Sequence, residues 1–241
     1  MMLYIVGFGS GARDCMTAAA EKALNQSDVI IGYKTYTALM KPFFPEKQFI
    51  ENGMRHETER VRLALEKAQT QTVSLICSGD PELYGLAALA YEYLADYPDT
   101  SIQVIPGITA AFSGGAVLGA PLTHDTAIIS LSDLLTPAEK IKQRLKCAAE
   151  GDFIIVLYNP SSRQRSDYLQ KACEIILQYR APDTVCGYVQ NIGRDGEKSC
   201  ICTLLELQNT QTDMFTTVYI GNSDTRMIGG KMVTPRGYQH E

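Results

Sequence analysis

The sequence predicts an α/β protein built from two α/β domains of similar size. In its first half, short apolar runs alternate with amphipathic stretches, the pattern of parallel strands joined by helical crossovers. That pattern restarts at about Asp125. Near the end, strand-like segments follow one another through short loops, which implies antiparallel pairing. A single (β/α) barrel fits less well, because no helices separate those last strands.

Taken in order, Leu3–Gly7 reads as a buried strand, Arg13–Asn25 as a helix and Val29–Gly32 as a second strand. Residues 55–69 place Val61, Ala64, Leu65 and Ala68 on one helical face, with Arg60, Arg62, Glu66 and Lys67 largely opposite. Val73–Cys77 is a strand, Tyr84–Ala95 a helix, Ile102–Ile105 a strand and Ile108–Leu118 a buried helix. The domains are expected at 1–113 and 124–241, with a linker at 114–123. In the second half Thr126–Leu131 is strand-like. Thr136-Pro137-Ala138-Glu139 then supplies an N-cap, a proline at the first helical position and a capping-box glutamate for a helix reaching about Ala149. Phe153–Leu157 is a strand, and Tyr168–Tyr179 a helix with Leu169, Ala172 and Ile176 on its apolar face. Thr184–Val189, Ser199–Leu204 and Thr216–Ile220 read as strands, with a turn at Gly193–Glu197.

Composition narrows the function class. The chain has 241 residues, 45% hydrophobic and 20% charged, which excludes wholesale disorder. Its net charge of −5 and the lack of any basic run argue against a nucleic-acid partner. Residues 100–123 carry no charge, yet Pro106, Gly107, Gly114, Gly115, Gly119 and Pro121 interrupt them, so no membrane span is expected. The stretch before Arg13 lacks a basic n-region, and the seven cysteines include no C-x-x-C, so a reducing cytoplasm is the expected compartment. His56, His124 and His240 are far apart, and no metal site is expected.

Three strand-to-helix junctions could carry chemistry. Gly7-Phe8-Gly9-Ser10-Gly11-Ala12 matches G-x-G-x-x-A, the small-residue form of the dinucleotide fingerprint. That motif also wants an acid at the end of the second strand, where this chain has Ile31-Gly32-Tyr33-Lys34 and carries Asp28 only at the start. Ser78-Gly79-Asp80-Pro81-Glu82-Leu83-Tyr84-Gly85 puts a carboxylate where a crevice forms at a sheet's carboxyl edge; Asp80 could equally cap the next helix or nucleate the turn. Val104-Ile105-Pro106-Gly107-Ile108-Thr109-Ala110 is a third junction of the same kind.

Together with Met232-Val233-Thr234-Pro235-Arg236-Gly237-Tyr238, these strings resemble the landmarks of the tetrapyrrole methylases. Ile31–Tyr36, Gly53-Met54-Arg55, Gly119–Leu122, Ile129–Pro137 and Leu157–Ser162 narrow the likeness, which spans residues 3–238, to the branch that methylates carbon 17 in corrin synthesis. The resemblance implies two αβα domains, with S-adenosylmethionine as methyl donor in the cleft between them. It implies a homodimer, an anionic tetrapyrrole substrate, and transfer to precorrin-3B or cobalt-factor III with linked ring contraction. Donor-contacting positions would be Ser78, Gly79, Asp80, Leu83, Thr109, Ala110, Asn159, Thr234 and Pro235, with Gly9, Ser10 and Gly11 facing the tetrapyrrole.

Because that substrate bears many carboxylates, Lys34, Arg55, Arg163, Arg165 and Arg236 are candidates for binding it. His124 and Asp125 could form an acid–base pair for the proton movements of ring contraction, and Ser10 adds a hydroxyl where the family loop commonly has proline. Glu82 stands where this branch often has glycine, and Leu86 where methionine is frequent. The alternatives are a family member acting on another ring carbon, an NAD(P)-dependent oxidoreductase resting on the glycine loop alone, and a non-enzymatic tetrapyrrole carrier.

Overall fold

The computed structural model describes residues 1–162 and 166–238. The chain divides into two compact units, Met1–Thr109 and Ala110–Glu241.

In the first unit, β1 (Met2–Gly7) leads through a 3₁₀ turn (Arg13–Cys15) to α1 (Ala18–Gln26). There follow β2 (Val29–Tyr33), α2 (Lys34–Met40), β3 (Gln48–Asn52), α3 (Glu57–Lys67), β4 (Val73–Cys77), α4 (Ala87–Tyr93) and β5 (Ser101–Ile105). The strands are all parallel, in the order β3-β2-β4-β1-β5. Side chains alternate across the sheet: Leu3, Ile5, Val29, Ile31, Val73 and Leu75 pack with α3 and α4, while Val6, Phe8, Ile30 and Ile76 pack with α1 and α2. Burial on both faces is why these strands read as continuous apolar runs.

Three local expectations are corrected here. The helix at Arg13–Asn25 is broken at Met16–Thr17, because Thr17 takes the N-cap position and its hydroxyl accepts from the Ala20 amide at 3.1 Å. The fourth helix starts at Ala87 and not at Tyr84, whose φ of 58° is left-handed; the Ala87 amide instead closes a turn onto the Pro81 carbonyl at 3.0 Å. Arg60, assigned by periodicity to the solvent face, is buried.

The second unit begins with α5 (Ala110–Leu118) and β6 (Gly119–Ala120), so part of the segment expected as a linker is helix and strand. It continues through β7 (Thr126–Ser130), α6 (Ala138–Glu150), β8 (Ile154–Tyr158), α7 (Tyr168–Ile176), β9 (Val185–Gln190), β10 (Lys198–Thr203), α8 (Leu204–Gln208) and β11 (Thr216–Ile220). The hairpin β12 (Arg226–Ile228) and β13 (Lys231–Val233) completes it. The main sheet runs β10-β9-β11-β8-β7 and is antiparallel except for β7·β8, while β13 pairs β12 and, in parallel, β6. One face is covered by α6, α7 and α8; the other packs Val156, Val189 and Tyr219 against Ala111, Leu118 and Met232. The capping box expected at Thr136 is not formed: Pro137 holds the N-cap position without a side-chain bond, and Glu139 pairs with Lys142 at 2.7 Å. A capping box does form at Thr203 and Glu206, ahead of α8.

Cys77, Cys173 and Cys186 are buried and behave as small hydrophobes. Burial pushes the Cys173 and Cys202 thiols up to about 12 and Cys77 to about 11. Alkylation of the native protein near pH 8 is therefore expected to mark exposed Cys147 and Cys200 and spare Cys77, Cys173 and Cys186. Peptide mass mapping reads this directly, and labelling of Cys173 at the rate of Cys147 would refute it. No helix among the described residues is long and apolar enough to cross a membrane.

Candidate functional site

The carboxyl ends of β4, β1 and β5 lie side by side in the first unit. β1 feeds α1 on one face of the sheet and β4 feeds α4 on the other, so a topological switch point falls between them, where open α/β sheets place ligand crevices. Here the chain stitches its own loops together. Gly9 donates to the Gly79 carbonyl at 3.2 Å, Gly79 donates back to Gly9 at 2.7 Å, and Phe8 donates to Cys77 at 3.0 Å. A Cβ at Gly107 would lie 2.1 Å from the Gly79 oxygen and 2.5 Å from that of Gly7, so only glycine fits.

This geometry removes the dinucleotide reading. The segment Gly7–Ala12 does not open a helix, since the 3₁₀ turn and Thr17 intervene before α1. Its backbone groups at Gly9 are spent on Gly79, and Asp28 accepts from the Thr72 amide at 2.8 Å.

Asp80 ties two of these loops together. One carboxylate oxygen accepts from the Glu82 amide at 2.8 Å, closing the turn, and the other accepts from the Gly107 amide at 3.1 Å. It is no helix cap, because α4 starts at Ala87 behind Leu86. Around it Ser78, Gly79 and Leu83 are half-buried and Thr109 is buried. Gly9 and Gly11 take positive φ values, and Ser10 is buried between them. Along the same sheet edge, Lys34 opens α2 and Arg55 lies in the loop after β3, both exposed.

In the second unit two tyrosines that the sequence did not single out hold the start of α5. The Tyr219 hydroxyl donates to the carbonyls of Ala110 at 2.7 Å and Ala111 at 3.1 Å, while the Ala111 amide donates to the Tyr158 hydroxyl at 2.7 Å. Tyr219 is fully buried, and burial raises its phenol well above the ordinary range, so it stays a donor. A buried tyrosine hydroxyl needs a partner, which was the available signal in Leu157-Tyr158 and Val218-Tyr219. Asn159 follows with a φ of 52° and donates from Nδ2 to the Ser130 hydroxyl at 2.9 Å.

The segment after β13 is pinned in the same way. Thr234 is 1% exposed; its hydroxyl donates to the Pro121 carbonyl at 2.7 Å and lies 2.8 Å from the Thr225 hydroxyl. His124 Nε2 donates to the Pro235 carbonyl at 3.0 Å, and Arg236 to the Thr123 carbonyl at 3.2 Å. The acid–base pair expected of His124 and Asp125 is not hydrogen-bonded among the described residues: the imidazole braces Pro235 instead. Arg163 and Arg165 lie outside the described residues. Among the described residues no group of three or more His, Cys, Asp or Glu is placed to hold a metal ion.

The chain is 45% identical over 246 residues to a probable cobalt-factor III C(17)-methyltransferase of Methanocaldococcus jannaschii, with 98% of each chain covered. It is 42% identical to a cobalt-factor III methyltransferase of Priestia megaterium, covering 99% of this chain and 45% of that one. The chain thus spans about half the length of some relatives it matches, 53% in the case of a cobalamin biosynthesis protein of Archaeoglobus fulgidus. The crystal structure of the methyltransferase CobJ superposes with a TM-score of 0.89 at 32% identity, covering 97% of this chain and 99% of that one. Residues 2–208 match the sequence profile of the tetrapyrrole (corrin/porphyrin) methylases, and the chain belongs to that family.

Proposed function

We propose that the protein is an S-adenosylmethionine-dependent methyltransferase that methylates carbon 17 of a corrin precursor. Cobalt-factor III is the favoured substrate and precorrin-3B the alternative. The observation that carries this reading is 42–45% identity, over nearly the whole of this chain, to two relatives named for cobalt-factor III. The homodimer and the linked ring contraction that the resemblance implies belong to the same reading.

The residues suit such a donor. Half-buried Ser78 and Leu83, with buried Thr109, offer hydroxyl and apolar surface for an amino acid, a ribose and an adenine, while Gly79, its amide held by Gly9, keeps that stretch free of a side chain. When bound, the donor supplies a methyl group made electrophilic by its sulfonium, so the chain needs no nucleophile of its own. Its task is to align the reacting groups and exclude water, and such positioning contributes up to about 7–11 kcal/mol in favourable cases. Asp80 serves by fixing the shape of the loop, since both of its oxygens already hold backbone amides. Tyr158 and Tyr219 fix Ala110 and Ala111. His124 fixes the backbone at Pro235, so its assigned role is bracing and not proton transfer. Gly9, Ser10 and Gly11, with Lys34, Arg55 and Arg236, are assigned to the tetrapyrrole.

Turnover of labelled donor with cobalt-factor III and precorrin-3B, each offered alone, tests the reading. A product heavier by one methyl group is expected with the former. Transfer to neither overturns the assignment, as does calorimetric binding of NAD with none of the donor.

A further inference from the structure

Arg60 is a charged residue that is buried although the helical periodicity puts it on the polar face of α3. It is 4% exposed on α3, and burial lowers its pKa, so holding the charge there costs desolvation. A buried guanidinium is weak grounds for stability, because an apolar residue of similar volume often serves as well. Its contacts show what it does instead. Nε donates to Asn52 Oδ1 at 2.7 Å and Nη2 to the Gly53 carbonyl at 2.8 Å, while its Cζ lies 5.9 Å from the centre of the Tyr33 ring. Tyr33 meets Tyr36 edge-on at 5.2 Å, and Tyr36 meets Phe8 edge-on at 5.6 Å.

Two exposed cations depend on the segments that Arg60 grips. β2 and β3 pair in parallel with Tyr33 opposite Asn52, so Lys34 and Gly53 leave neighbouring strands at the same edge. Arg55 lies two residues past Gly53 with a φ of 67°, a conformation L side chains rarely adopt, and its amide donates to the Glu57 carboxylate at 3.3 Å. Besides that contact, Asn52 Nδ2 donates to the His56 carbonyl at 3.3 Å, and the two bonds from Arg60 complete the frame of the loop. We propose that Arg60 is a positioning residue: it holds the loop 52–55 and the adjoining Tyr33 so that Arg55 and Lys34 present paired positive charge to a carboxylate of the substrate. This rests on the tetrapyrrole reading above, which supplies the polycarboxylate.

A double-mutant cycle on the whole chain tests it. Arg55→Ala is expected to raise the tetrapyrrole KM about tenfold, the scale of a charge-assisted bond. Arg60→Lys, which keeps the charge and loses the fork, is expected to do the same. Because Arg60 acts in part through Arg55, the double variant should fall clearly short of the product of the two single effects, with donor Kd held within about twofold. Asn52→Ala, which removes the Nε partner together with the bond to the His56 carbonyl and leaves the guanidinium, should also raise KM and covers the case in which Arg60→Lys does not fold. A second readout needs no turnover: trypsin should cleave after Arg55 faster in Arg60→Lys than in the wild type. Effects of Arg55→Ala and Arg60→Lys that multiply, an unchanged KM in folded Arg60→Lys, or unchanged cleavage after Arg55 would overturn the proposal. Wild-type protein that transfers no methyl to either precursor would overturn the underlying reading, and the cleavage test would still decide the role of Arg60 in the loop.

Discussion

Gly107→Ala is expected to lower the melting temperature of the first unit by roughly 10 °C, the equivalent of about 3 kcal/mol of overpacking. The added methyl would meet the Gly79 oxygen at 2.1 Å, the Gly7 oxygen at 2.5 Å and the Gly7 carbonyl carbon at 2.6 Å. All three are backbone atoms, so no side chain can swing away to relieve the overlap. They also belong to the ends of adjacent strands β4 and β1, whose separation is set by the ladder below them. The methyl can be accommodated only if the loop after β5 withdraws, which breaks the bond from the Gly107 amide to Asp80. Gly53→Ala is the matched control: its nearest neighbour would be the His56 ring at 3.6 Å, an ordinary contact. Calorimetric melting of the two variants side by side decides the matter. Equal stability would mean that the three strand ends are not in contact in solution.

Asp80→Ala should weaken donor binding about tenfold and cost about 1–3 kcal/mol of stability, the penalty for stranding amides that a carboxylate had satisfied. The Glu82 and Gly107 amides would both lose their acceptor. Glu82 is exposed and can turn to water, whereas the Gly107 amide is packed against Gly7 and Gly79, so most of the penalty falls there. Asp80→Asn keeps one good acceptor oxygen and should fall between the wild type and the alanine variant. Melting curves and donor titrations on the same preparations separate the two effects. If donor affinity stays at the wild-type value while stability falls, Asp80 belongs to the scaffold alone.

The parallel strands of the first unit were legible because burial on both faces leaves a run such as Val73–Cys77 with little that is polar. The edge strand β3, Gln48–Asn52, was not legible, because only Phe49 and Ile50 pack on the core and Gln48, Glu51 and Asn52 around them are polar. The short helix α2 escaped for a related reason: Thr35, Tyr36 and Thr37 are poor helix formers, held in place by packing of Met40 and Phe44 against α1 and the sheet. Periodicity put Arg60 in solvent because a helical wheel shows no carbonyl from the preceding loop. The strings around Asp80 and Gly107 were visible as junctions, yet the bond joining them spans 27 residues and follows only from the order of the sheet. His124 and Asp125 suggested a pair through adjacency, while the imidazole's partner Pro235 lies 111 residues away. The tyrosine anchors of α5 are hidden for the same reason, since Tyr219 and Ala110 are 109 residues apart.

The parallel pairing of β13 with β6 has a consequence for synthesis on the ribosome. Every strand of the first unit is complete once Ile105 has been added, so that unit can fold while the rest is still being made. The second unit cannot. The carbonyls of Ala120 and Pro121 wait for the amide and hydroxyl of Thr234, added 113 residues after Pro121. At ordinary elongation rates that delay is on the order of ten seconds. Through that interval β6, Gly119–Ala120, stands outside the ribosome without the strand it pairs with, its backbone groups left to water.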